Sequence, residues 1–133
     1  MKKILLAYDG GEPARRAIDL TADLARHYGA AVSVVSVTPV HPGRMPVDPW
    51  DDRPVHLSEL REAQQLLRDQ GIEPALLSPA GDPARTIERL ATEGGFDTVI
   101  VGSRGLGPLS RALQGSISEH VATHADTTVI VAR

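Results

Sequence analysis

The chain has 133 residues, 41% hydrophobic and 23% charged, a length that supports one domain with its own core. A net charge of −3, no basic block beyond Lys2-Lys3, and only one Trp, two Tyr and one Phe argue against a nucleic-acid surface, which needs clustered cations and stacking rings. No segment approaches the ~20 apolar residues of a membrane span, and the absence of cysteine excludes disulfides, a thiol nucleophile and thiolate metal sites.

The opening, MKKILLAYDGG, is too short an apolar run for a secretory leader, because Asp9 interrupts it. Cytoplasm is therefore the default location. Lys3 to Tyr8 reads as a first strand, with Asp9-Gly10-Gly11 at its carboxyl end. Pro13 suits the first turn of a helix, where its missing N–H costs nothing. Ala14, Ala17, Ile18, Thr21, Leu24, Ala25 and Tyr28 recur at helical spacing, and Gly29 can supply the left-handed stop. Val32 to Val37 is a second strand.

Thr38 to Pro54 breaks the pattern. Pro39, Pro42, Pro46, Pro49 and Pro54 argue against a regular element across it. At about 17 residues it exceeds the usual connection of about 2–6 in α/β units, so it is either a functional flap or a mobile excursion. Trp50 within it is a packing anchor or, less simply, an aromatic ligand contact. Leu57, Leu60, Ala63, Gln64 and Leu67 then mark a second amphipathic helix ending near Gly71. Ile72 to Leu77 reads as a third strand, placed at an edge by Pro74. Asp82-Pro83 opens a third helix as N-cap and N1, with Ile87, Leu90 and Ala91 as its stripe before Gly94-Gly95.

The last third carries the most chemistry. Val99-Ile100-Val101 is a buried strand, followed at once by a loop with Gly102, Gly105, Gly107 and Gly115. Ser116 with Glu119 three residues later is a capping box, so a helix starts there and Thr127 to Val131 forms a fifth strand. Strand, glycine loop and capped helix can hold an oxyanion on backbone N–H groups. Taken locally, the same glycines could equally be a strand end, a turn and a connector.

The whole pattern is βαβαβαβαβ. That order predicts an α/β, Rossmann-like three-layer sandwich with a five-stranded, mostly parallel sheet, all within a single domain of residues 1–133. Such sheets bind ligands beyond the carboxyl ends of their strands, where the strand order reverses. Asp9-Gly10-Gly11, the start of the long loop, and Gly102 to Ser116 should meet on that rim.

Familiar nucleotide and hydrolase signatures are missing. The first turn, DGGEPAR, lacks G-x-G-x-x-G, and the chain has neither G-x-x-x-x-G-K-S/T nor G-x-S-x-G. No lysine follows Lys3. His120 and His124 share a predicted helix face, but no third metal ligand has a recognisable spacing, and no metal site is assigned.

What remains is Gly102-x2-Gly105-x9-Gly115-Ser116. This resembles the universal stress protein family, in its ATP-binding subclass, whose pattern is G-x2-G-x9-G-S/T. LLAYDGGEPAR, the VVSV strand, VGSRGLG, QGSISEHV and the closing VIVAR also look like that family at their expected places. Gly11, where many members carry serine, and Thr128, where proline is common, depart from it. The resemblance covers the chain apart from the Pro-rich loop.

By that resemblance, Ala7, Tyr8, Asp9 and backbone near Val37 would flank an adenine, with Asp9 and Gly102 by the ribose. Gly105, Gly115 and Ser116 would hold the phosphates. Arg104 is either solvent-facing scaffold or a phosphate neighbour, and Arg111 carries the same two readings. The implied ligand is ATP or AMP, with Mg²⁺ recruited through phosphates if Asp9 takes part.

The expected function is adenine-nucleotide binding with a regulatory or stress-response role. The alternatives are a nucleotide-free partner-binding module of the same fold and a very slow ATPase. Efficient phosphoryl transfer is disfavoured because neither a loop lysine nor an evident general base is present. Thr127 to Val131, with no proline or lysine to blunt it, is expected to be an edge strand that pairs two chains into a homodimer.

Overall fold

The computed structural model describes residues 1–8, 12–38, 53–102 and 127–132. In chain order these give β1 (Lys3–Ala7), α1 (Glu12–Tyr28), β2 (Ala31–Val35), α2 (Arg53–Arg68), β3 (Ala75–Leu77), α3 (Pro83–Glu93), β4 (Thr98–Gly102) and β5 (Thr128–Ala132). All five strands lie in one parallel sheet, in the order β3-β2-β1-β4-β5. The fold is the α/β arrangement expected from the strand and helix pattern.

Alternation along β1 divides the core in two. Ile4, Leu6 and Tyr8 face one side, where Ala17, Ile18 and Ala22 of α1 and Leu60, Ala63 and Leu67 of α2 cover them. Leu5 and Ala7 face the other, against Ile87 and Ala91 of α3 with Phe96. A strand buried on both faces needs an unbroken apolar run, which explains ILLAY.

Each of the three helices stops by the same device. Gly29, Gly71 and Gly95 have φ of 66°, 82° and 68°, the left-handed region that favours glycine. The following N–H groups of Ala30, Ile72 and Phe96 reach back to the carbonyls of Ala25, Leu67 and Ala91, as in a Schellman cap. Asp82 caps the start of α3, its Oδ2 accepting from Arg85 N at 3.0 Å.

Several expected boundaries move for physical reasons. Ile72 belongs to the stop of α2, packed against the α1–α2 core, so β3 shrinks to three residues at the sheet edge. Pro54 lies in the first turn of α2, where a missing N–H is harmless, so the helix begins inside the stretch expected to be loop. Tyr28 and Leu57, counted in apolar stripes, are 53% and 45% exposed. The segment 39–52 and the helix expected from Ser116 lie outside the described residues.

At the amino ends of the strands, Asp97 ties β4 to β1. Its Oδ2 accepts from Lys2 N at 2.7 Å and Lys3 N at 3.3 Å, and Oδ1 accepts from Thr98 Oγ1 at 3.0 Å. Burial opposes its charge, but these donors outweigh it and hold the carboxyl below the ordinary range. Lys3 lies over the Phe96 ring, 4.6 Å from its centroid, and donates to the Gly94 carbonyl. This end of the sheet is closed by structure, which leaves the opposite rim for function.

Candidate functional site: the carboxyl rim of the sheet

The strand order reverses at β1. From it the chain first builds outward through β2 to β3, then crosses back to add β4 and β5 on the other side. In a doubly wound sheet the crevice lies between the strands that flank this reversal, here β1 and β4. Ala7 is in register with Val35 of β2 and Val101 of β4, so Ala7, Tyr8 and Gly102 meet at one point of the rim. Gly102 is paired with Ala132 of β5, and the glycine-rich sequence 102–116 begins there.

Val37 stands on the same rim, one strand over. Ser36 N–H donates to Leu77 O at 3.1 Å and Thr38 N–H to Pro79 O at 2.9 Å, while Thr38 O accepts from Gly81 N at 3.0 Å. A further bridge pairs Thr38 with Ala80. The β2–β3 side therefore rises above the ends of β1 and β4 as a wall. Because alternate residues of an extended chain turn their polar groups to opposite sides, the N–H and C=O of Val37 point towards β1.

The β1–β2 ladder has ended by that level. Its last rung is Tyr8 N–H to Val35 O at 3.1 Å, and no hydrogen bond joins the main chain of Val37 to another described residue. One donor and one acceptor thus face the crevice side by side. The Val37 side chain, buried with Ala7, Val35 and Ile87, anchors them from the α3 side.

Behind the rim, on the α1–α2 side, lies a polar cluster that motif reading missed. Arg15 of α1 pairs with Glu62 of α2, Nη2 to Oε1 at 3.1 Å. The Tyr8 hydroxyl is buried beside that pair, with no hydrogen-bond partner within reach among the described residues. Burial first, and then the Glu62 carboxylate, push its pKa well above the usual phenol value, with Arg15 opposing, so it stays neutral at ordinary pH. One turn earlier on α2, Glu59 Oε2 accepts from the buried Ser36 Oγ at 3.2 Å. The one signal in the sequence was Glu59 and Glu62 at i, i+3, which shares a helix face.

The structure therefore brings Ala7, Tyr8, Val37 and Gly102 of the expected set onto one rim, and turns the Tyr8 side chain away from it into the α1–α2 core. Asp9, Arg104, Gly105, Gly115 and Ser116 lie outside the described residues, as do Trp50, Arg111, His120 and His124. Among the described residues no group of His, Asp or Glu is arranged to hold a metal. Nor, among them, is any helix long and apolar enough to cross a membrane.

Fold and rim together define an open, parallel α/β protein whose strand order reverses at β1. The sequence matches the Universal stress protein family profile over residues 1–133, and the chain belongs to that family. A universal stress protein of Thermus aquaticus is 31% identical over 136 residues, covering 99% of this chain and 98% of its own. The fold is shared with the universal stress protein of Archaeoglobus fulgidus solved in complex with dAMP, at a TM-score of 0.74, 22% identity and coverage of 100% and 98% of the two chains. A universal stress protein family protein of Arabidopsis thaliana with AMP bound gives 0.66 at 20% identity, with coverage of 99% and 91%.

Proposed function

We propose that this chain is an adenine-nucleotide-binding protein, holding AMP or ATP at the carboxyl rim between β1 and β4, with a regulatory or stress-response role in the cytoplasm. The observation that carries the reading is the donor–acceptor pair of Val37, facing the crevice where the β1–β2 ladder has ended. A purine edge that presents an acceptor beside a donor, as adenine does, matches that pair. The dAMP and AMP complexes of the two relatives support the same ligand class.

In this reading Ala7 to Asp9 and Val37 flank the base, and Asp9 and Gly102 lie by the ribose. Gly105, Gly115 and Ser116 hold the phosphates on backbone and hydroxyl donors, with Arg104 as their cationic neighbour. Mg²⁺, where ATP is the ligand, would be held through the phosphates near Asp9. Turnover is slow or absent, because no lysine follows Lys3 to stabilise a moving phosphoryl group. Calorimetric titration with AMP tests the reading.

The same proposal includes a homodimer through β5. Thr128 N–H donates to Asp97 O at 2.8 Å, so alternation turns the N–H groups of Val129 and Val131 to the outer edge. Residues 129–132 are only half buried, as a strand awaiting a neighbour would be. Light scattering at micromolar concentration should report two chains per particle. Val129→Pro removes an outward donor without cutting the β4 ladder, and should lower dimer affinity about tenfold. A parent that stays monomeric contradicts the dimer, and an unaffected proline variant moves the interface elsewhere.

A further inference from the structure

We propose that Glu59 of α2 is a positioning residue for the base-reading edge of this site, acting through Ser36. The inference rests on the reading of the rim as an adenine-nucleotide site and adds what sets its choice of base. Ser36 immediately precedes Val37, and the peptide between them carries the N–H that faces the crevice.

Ser36, the residue on the amino side of that peptide, is held from two directions. The Ser36 N–H is bound to Leu77 O of β3 at 3.1 Å, and its buried hydroxyl donates to Glu59 Oε2 at 3.2 Å. Three residues on, Glu62 grips Arg15 on α1, the helix that follows β1 in the chain. The two carboxylates thus fasten one helix to the residues following β2 and to the first turn of α1.

Neither contact is needed to dock α2. Leu60, Ala63 and Leu67 do that, each fully or nearly buried in the α1–α2 core. A partly buried carboxylate costs desolvation that an apolar or amide side chain would not. Its use lies in direction. A fixed N–H and C=O pair accepts the adenine pattern and sets like groups against guanine, whose edge presents the reverse order, so discrimination follows from how firmly the peptide is held. A peptide free to turn tolerates either base.

AMP and GMP titrations on the parent, Glu59→Ala, Glu59→Gln and Ser36→Ala test this. The parent should prefer AMP, and Glu59→Ala should reduce the AMP-to-GMP affinity ratio about tenfold, the scale of one hydrogen bond to a charged group. Glu59→Gln keeps an oxygen that can accept from Ser36, and should retain the ratio. Ser36→Ala should match Glu59→Ala, and the double variant should lose nothing more. An unchanged ratio in Glu59→Ala, an equal loss for both nucleotides, or a Gln variant as poor as Ala would overturn the assignment. If Glu59→Ala does not fold, Ser36→Ala decides by the same criterion. A parent that binds neither nucleotide overturns the nucleotide reading itself, and the inference with it.

Discussion

Replacing Gly115 with valine should weaken AMP binding about 100-fold while leaving the protein folded. Gly102, the first glycine of the 102–116 stretch, ends β4 beside the carboxyl end of β1. In sequence, Gly115 closes the series of glycines that begins there, just ahead of Ser116 and Glu119, whose spacing is that of a capping box. For backbone N–H groups to reach a phosphate, nothing can stand between chain and oxyanion, and a branched Cβ would occupy that space. Losing about two charge-assisted hydrogen bonds, each worth about 1.5 kcal/mol, corresponds to the stated factor. Circular dichroism and thermal melting check the fold, and calorimetry the affinity. A folded variant that binds AMP as tightly as the parent would take the phosphates away from this loop.

The second large effect concerns stability. Leu6→Ala should cost about 3 kcal/mol, the middle of the range for truncating a buried leucine. Leu6 is fully buried in the central strand, with Val34 beside it in β2 and Ile100 beside it in β4. It belongs to the core covered by α1 and α2, so the space left behind is walled by three packed layers of side chains and cannot readily collapse. For a domain of this length the loss lowers Tm by about 10 °C. Leu57→Ala serves as the control. Leu57 is 45% exposed on α2, and its loss should stay within about 0.5 kcal/mol. Equal effects of the two would mean that burial in the sheet core does not set stability here.

The contrast between those two leucines shows what periodicity can reveal. Leu6 sits in a strand whose unbroken apolar run marks burial on both faces. Leu57 shares the helical stripe of the buried Leu60, and a stripe predicts which side of a helix is apolar and not how far its ends extend past the sheet. Leu57 and Tyr28 lie near the helix ends, where coverage runs out. The strands were legible because a doubly covered sheet demands continuous Val, Ile and Leu, and β1, β2, β4 and β5 each contain such a run. Asp82 and Pro83 were legible because capping is local chemistry. Ile72 was not, since a Schellman stop borrows the hydrophobic residue that follows its glycine, and in sequence this looks like the start of a strand.

The site divides along the same line. Gly102 and the residues ending β1 follow from local pattern plus the rule that ligands gather at the strand reversal. The Glu59–Ser36 and Glu62–Arg15 contacts join residues 23 and 47 positions apart, and nothing in the spacing of a serine and a glutamate announces them. They exist because α2 packs against α1, β2 and β3, an arrangement that only the sheet order decides. Val37 needed both kinds of information. Its place near the rim could be read from the VVSV strand, but that its donor and acceptor have no main-chain partner among the described residues required the broken ladder.

The most direct measurement is a calorimetric titration of AMP into the full chain after any co-purified nucleotide has been stripped. Saturable binding of about one AMP per chain, competed by ATP and weaker for GMP, is the expected result. A folded, nucleotide-free protein that takes up no AMP at millimolar concentration would contradict the account, and would leave the fold as a platform for a protein partner.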